Sequence, residues 1–149
     1  MNKKLYFFLA AGILIIDRVT KLAALAWCID LPRIINSFLS FEVVFNRGIS
    51  WGMFHSQSDA LFFIVSLIIA LITALLCGYA YHRYVQGDSI VAELCIIMGS
   101  CCNLIDRVLY GGVIDFIILS YNNVSWPVFN IADAVIVLGV GLFILRYEK

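Results

Sequence analysis

Asp106, Asp115 and Asp133 stand close together in the last third of a chain that is otherwise 63% hydrophobic, with Asn103, Arg107 and Asn130 beside them. Polar side chains are costly to bury away from water, so this gathering needs a chemical reason. Two carboxylates held near each other cannot both ionise cheaply, and one keeps a proton at neutral pH. Such a half-protonated pair can take a proton from water with one member while the other protonates a carbonyl oxygen. The water then attacks a peptide bond without a covalent intermediate and without a metal. Asp106 reads first as a structural ion-pair partner of adjacent Arg107 or of Lys21, leaving Asp115 and Asp133 as the less compensated pair.

Composition sets the surroundings of that chemistry. The chain has 149 residues, 13% charged and net charge zero. Soluble domains carry roughly 25% charged residues, so the sequence reads as one integral membrane domain. Balanced charge and the lack of a basic tract argue against a nucleic-acid partner. Cys28, Cys77, Cys95, Cys101 and Cys102 show no metal-ligand spacing and read as packing residues. His55 and His82 fall in different connections, so no histidine-based site is expected, nor any metal or other cofactor.

Four apolar stretches must position the acids. The first, about Leu5 to Ile29, begins like a signal peptide behind Lys3 and Lys4, but no small-x-small cleavage site follows and it is expected to remain as a helix. Leu25-Ala26-Trp27-Cys28 faintly resembles a lipoprotein acylation box, but Trp27 is too bulky for the position before the cysteine. Asp17 and Lys21, four apart in this stretch, share a helix face and can pair. Ala60–Tyr81 is free of charge and long enough to span a bilayer; Ser89 to about Leu109 is a third span, and Pro127–Leu145 a fourth with Pro127 in its first turn. With four spans, Lys3, Lys4, Arg83, Arg146 and Lys149 lie on one side and Arg33, Arg47 and Arg107 on the other. That bias places both termini in the cytoplasm.

The outer connections carry structure of their own. Alternation over Phe38–Phe45 puts Leu39, Phe41, Val43 and Phe45 on one face of a strand, and Val113–Leu119 reads as a second strand able to pair with it. Ile49–Phe54 is amphipathic and suits the membrane interface. At about 1.5 Å per residue, Asp17 lies about 18 Å beyond Leu5, Asp106 about 26 Å beyond Ser89 and Asp133 about 9 Å past Pro127. With Asp115 in the outer connection, four acids from four segments converge at one membrane surface. Asn103, Asp106 and Arg107 share one helix face, as do Asn130 and Asp133. The predicted fold is therefore a membrane all-α bundle of four transmembrane helices with a small extracytoplasmic β element and an interfacial helix.

These residues resemble those of the bacterial lipoprotein signal peptidase (type II signal peptidase) family across nearly the whole chain. Asp17-Arg18-Val19-Thr20-Lys21 resembles its D-x-x-T-K box, and Asn46-Arg47-Gly48-Ile49-Ser50-Trp51-Gly52 its N-x-G-x-A-F-G box. Asn103-Leu104-Ile105-Asp106-Arg107, Gly112-Val113-Ile114-Asp115-Phe116 and Phe129-Asn130-Ile131-Ala132-Asp133 match N-x-x-D-R, G-x-V-x-D-F and F-N-x-A-D. The resemblance implies an aspartic endopeptidase of the cytoplasmic (inner) membrane, acting near the extracytoplasmic surface on a diacylglyceryl-modified prolipoprotein. It implies that Asp115 and Asp133 are catalytic, that Asn46, Asn103, Arg107 and Asn130 hold substrate or orient the pair, and that Asp17 supports it. It also implies inhibition by the cyclic peptide globomycin. Membrane lipid is the expected surrounding partner, and the chain is expected to act as a monomer.

The sequence departs from the family pattern at Gly99-Ser100-Cys101-Cys102, at Arg18, where glutamine is common, and at Ser50-Trp51. Cys102 is expected to lie near enough to the substrate groove for a bulky thiol reagent to inhibit. A proton-relaying transporter is the competing class, but acids clustered at one surface do not line a path, and no inverted repeat is present. A metal-free carboxylate mechanism makes cleavage insensitive to chelators. Loss of activity with EDTA, restored by a single divalent ion, would overturn it.

Overall fold

Each stretch read as a span folds as a helix. The computed structural model describes residues 3–48, 58–122 and 124–147, with helices α1 (Lys3–Cys28), α2 (Asp59–Val85), α3 (Val91–Tyr110) and α4 (Ile131–Tyr147). Ser58 caps α2, its hydroxyl accepting from the Leu61 amide at 3.4 Å, and Asp59 follows at the positive end of the helix dipole. Gly111 ends α3 with φ 67°, a left-handed cap that glycine adopts without a Cβ penalty. The interfacial helix expected over Ile49–Phe54 lies outside the described residues.

The two expected strands pair. β2 (Leu39–Asn46) runs antiparallel to β3 (Val113–Tyr121), and two-residue edge strands, β1 (Arg33–Ile34) and β4 (Val124–Ser125), complete a sheet of order β1-β2-β3-β4. Among the described residues the fold is thus mostly helical with a small four-stranded antiparallel sheet, the β element expected beside the helices. The simple alternation of β2 is corrected by a register shift: Phe41 faces Ile117 and Val44 faces Asp115, three steps against two. The extra residue reverses strand parity, so Val44 and Asn46 come onto the sheet face of Asp115. Without it, Asn46 would point away.

The fourth helix also starts later than expected. Pro127 precedes it rather than opening it, because the chain here is extended against β3. Phe129 exchanges backbone hydrogen bonds with Ile117, at 2.8 and 3.1 Å, and the Trp126 amide donates to Leu119 at 2.7 Å. Asp133 is therefore in the first turn of α4, two residues past its start.

Packing is inverted relative to a water-soluble domain. The largest fully buried side chains include Lys21, Glu93, Asn130, Asp17 and Asp106, whereas Phe63, Leu67, Leu71 and Leu75 of α2 are exposed. Among the described residues, α2 is the helix long and apolar enough by composition to cross a membrane; α1 and α3 carry the charges that pair inside. Two buried apolar clusters join the elements, Ile13, Cys95, Cys102 and Ala132 in one, Ala24, Cys28 and Phe116 in the other.

Close contact between α3 and α4 rests on small residues. A Cβ on Gly99 would lie 2.7 Å from the Ala132 carbonyl and 2.6 Å from Ile136, and one on Gly139 2.8 Å from the Ala92 carbonyl. Helices without a hydrophobic driving force between them associate through such close approach. Gly99 is one turn before Asn103, so this contact also sets how near Asn103 comes to α4. Gly99→Val is expected to destabilise by about 1–3 kcal/mol or more through overpacking. Gly12→Ala, where nothing lies within 4 Å, should be neutral or slightly stabilising. Thermal melting in detergent tests both; an unchanged melting temperature for Gly99→Val would show that the helices do not need this approach.

Candidate active site

The start of α4 builds half of the site. Asn130 stands just before the helix, and its side-chain oxygen accepts from the Asp133 amide at 2.9 Å. Asp133 Oδ2 accepts in return from the Asn130 amide at 3.1 Å. This reciprocal arrangement is a capping box and by itself explains the three-residue spacing. Each side chain has a further contact, however. Asp133 Oδ1 accepts from Asn103 Nδ2 at 2.8 Å, and Asn130 Nδ2 donates to Asp115 Oδ1 at 2.6 Å.

Asn46 approaches Asp115 from the other side. Its Oδ1 accepts from the Gly48 amide at 2.9 Å, which turns Nδ2 toward Asp115 Oδ2, also at 2.9 Å. Both oxygens of Asp115 and both of Asp133 thus receive N–H donors from asparagine. Arg107 holds the turn that follows Asn46. Its guanidinium donates to the Gly48 carbonyl and, at 3.4 Å, to Ser66 Oγ, and lies 5.3 Å from the centre of the Phe62 ring.

Behind these groups lies a cluster of charges. Lys21 Nζ is 3.0 Å from Asp17 Oδ2, 2.7 Å from Asp106 Oδ2 and 3.1 Å from Asn103 Oδ1. Arg18 reaches Asp106 Oδ1 at 2.6 Å and Asp17 Oδ2 at 3.4 Å. Asp17 Oδ1 accepts from the Ala132 amide at 3.1 Å, and Asp106 Oδ2 from the Ile114 amide at 3.2 Å.

A cleft of about 490 Å³ opens onto the two acids, with Asn46, Asn103, Asp115 and Asp133 at its polar end and Ile69, Val128, Ile136 and Val137 along its apolar walls. Burial, with the neighbouring Asp133 charge, pushes the Asp115 carboxyl up to about 7, against the hydrogen bonds from Asn46 and Asn130. At neutral pH this cleft holds a carboxyl group poised between its two protonation states, next to a second carboxylate.

The structure brings Asp115, Asp133, Asn46, Asn103 and Asn130 together as expected, and Asp17 supports the α4 backbone. One expectation is narrowed and one is corrected. Of the two partners expected for Asp106, the structure selects Lys21 and not Arg107: residues 106 and 107 are neighbours on α3, so they point about 100° apart, Asp106 to α1 and Arg107 to α2 and Gly48. Cys102 does not line the groove; it is fully buried against Ile13, Cys95 and Ala132, out of reach of a bulky reagent in the cleft. Lys21 and Arg18 belong to the site's support, a role the spacing with Asp17 only half revealed. The available signal was the cost of placing an ammonium inside an apolar helix.

The profile of the family described as signal peptidase (SPase) II matches residues 9–148. The chain belongs to the signal peptidase II family. A lipoprotein signal peptidase of Thermodesulfovibrio yellowstonii is 38% identical over 139 residues, covering 92% of this chain and 90% of its own. One from Aquifex aeolicus is 37% identical, over 96% and 85%. Among solved structures, a bacterial membrane enzyme determined by the in meso method at 2.3 Å resolution superposes with a TM-score of 0.78 at 27% identity, over 99% of this chain and 89% of that one. A second, at 1.9 Å, gives 0.76 at 28%, over 99% and 94%.

In this signal peptidase II chain the raised Asp115 pKa has a consequence for stability. An acid kept protonated by the fold binds more protons folded than unfolded, so stability falls as pH rises from about 4 and levels off above about 7. Asp115→Asn removes that contribution. Melting temperatures across this range should fall more steeply for the wild type than for the variant; equal slopes would show that Asp115 titrates normally.

Proposed function

We propose that this chain is a membrane-embedded aspartic endopeptidase that removes the signal peptide from diacylglyceryl-modified prolipoproteins, cleaving on the N-terminal side of the lipidated cysteine. The observation that carries the reading is the pair Asp115 and Asp133, brought from β3 and α4 to one cleft and held there by three asparagines. The family supplies the peptidase class, and lipoprotein signal peptidases are its relatives here.

The chemistry follows from one proton shared between two carboxyl groups. The ionised member takes a proton from water, whose oxygen bonds to the scissile carbonyl carbon. The protonated member gives its proton to the carbonyl oxygen. In the second half one hydroxyl of the tetrahedral intermediate returns its proton to the carboxylate that had protonated it, as the C=O bond re-forms. The carbon–nitrogen bond breaks and the proton taken from water passes to the departing amine, so the dyad again holds one proton. Asn46, Asn103 and Asn130 keep the carboxyls oriented through this exchange, and Arg107 secures the turn behind Asn46.

The setting we infer is the cytoplasmic membrane, with four spans, both termini cytoplasmic and the dyad near the extracytoplasmic surface. Exposed apolar side chains on α1, α2 and α4, such as Phe7, Ile15, Leu67, Leu71, Val137 and Leu138, suit a lipid boundary. Asp133 in the first turn of α4 and Asp115 on the sheet support a reaction at the end of the helices, where in this setting an acyl-anchored substrate carries its scissile bond. The apolar walls of the cleft suit a substrate's lipid-proximal part, and a globomycin-type cyclic peptide would compete for them.

Asp115→Asn and Asp133→Asn should each lower cleavage of a purified lipidated precursor by about 10²–10⁴-fold or more, because each removes a proton-transfer group. Mass spectrometry of the released signal peptide reads the rate, and a melting curve shows that the variant is folded. Near-normal cleavage by either folded variant would refute the dyad.

A further inference from the structure

Lys21 is wholly buried and lies outside the cleft lining, yet both acid-bearing segments are tied to it. Its ammonium has three hydrogens and three acceptors within 3.1 Å, on Asp17, Asp106 and Asn103. The two carboxylates each grip one backbone amide. Asp17 holds that of Ala132, immediately before Asp133, and Asp106 holds that of Ile114, immediately before Asp115. Lys21 is thus the bridge between the anchor of one catalytic acid and the anchor of the other.

The third contact sets an orientation. Asn46 and Asn130 are turned the right way by backbone amides, which can only donate and so must meet the side-chain oxygen. Asn103 has no such amide partner; its Oδ1 accepts from Lys21 at 3.1 Å and from Asn130 Nδ2 at 3.2 Å. An ammonium has no acceptor, so Lys21 keeps the oxygen toward itself and Nδ2 toward Asp133.

We propose that Lys21 is a positioning residue that sets the separation of Asp115 and Asp133 and the orientation of Asn103. The charged and titratable groups facing its neighbourhood include Asp17 and Arg18 from α1, Cys102 and Asp106 from α3, Asp115 from β3 and Asp133 from α4. Within the inner cluster, Asp17 and Asp106 are matched by Lys21 and Arg18. Arg18 binds the Asp106 oxygen that Lys21 leaves free, so both cations are accommodated at once. The proposal rests on the aspartic-dyad reading above.

The test compares Lys21→Met with Asp17→Asn/Lys21→Met in the full-length protein, measuring melting temperature, kcat and KM on a lipidated precursor. The single variant leaves two carboxylates facing one arginine and is expected to melt early. The double variant restores balance with one carboxylate and one cation, and the new asparagine oxygen still accepts from the Ala132 amide. It should recover most of the melting temperature while kcat stays lower by on the order of 10²-fold, with KM little changed, because misplacement of reacting groups costs about that much. A double variant with near wild-type kcat would overturn the inference, and so would one that does not fold, which would make Lys21 a folding residue. Asp133→Asn serves as the control: cleavage surviving there sinks the dyad itself, whereas an inert control beside an active double variant sinks only the role of Lys21.

Discussion

An ammonium ion held away from water must find an acceptor for each hydrogen and a counter-charge nearby, or its desolvation is not offset. Lys21 meets both demands with Asp17, Asp106 and Asn103, and that requirement organises the end of the bundle that carries the site. It draws α1 to α3 directly and reaches α4 and β3 through the amides of Ala132 and Ile114. Removing Lys21 would leave the buried Asp17 and Asp106 to share Arg18 alone, and breaking a buried ion pair in this way typically costs about 3–5 kcal/mol. The same contacts that keep the helices together therefore keep the two acids together. The packing of the helices and the geometry of the proposed dyad share one set of hydrogen bonds.

The three asparagines show how a site can use neutral groups where charged ones would defeat its purpose. Arginine or lysine beside Asp115 and Asp133 would hold both carboxyls ionised and leave no proton to share. Amide NH₂ groups orient the carboxyls while adding no net charge, and the Asp115 carboxyl stays up at about 7 despite two of them. Of the positive charges near the pair, Lys21 reaches Asp133 only through Asn103 and is compensated by Asp17 and Asp106. Arg107 also lines the cleft, but its donors go to the Arg47 and Gly48 carbonyls and the Ser66 hydroxyl rather than to either carboxyl.

Helix packing explains how such contacts are held to hydrogen-bond distance. With apolar side chains facing outward, burial of hydrophobic area does little to draw the helices together, and close approach of backbones must serve instead. Gly99 and Gly139 permit it along α3 and α4. At the opposite end, Glu93 receives both donors of Arg146 at 2.8 and 3.1 Å, closing α3 against α4. The pair of helices is fastened at both ends, and Asn103 meets Asp133 between them.

Much of this was legible in the residues alone. Hydropathy locates all four helices, alternation locates both long strands, and the ordered polar boxes point to the family. These are local properties, set by the period of a helix or strand and by the cost of burying polar groups in apolar stretches. What spacing did not settle was the partner of each polar group. Residues 106 and 107 are adjacent, yet a helix turns them about 100° apart, and only the neighbours of α3 decide that Asp106 meets Lys21 and Arg18 while Arg107 meets Gly48. The bulge that aims Asn46, the extended pairing of Phe129 that delays α4, and the burial of Cys102 are decided in the same way. A sequence determines which face a residue occupies on its own element; the rotation and depth of one element against another arise only when all of them pack together.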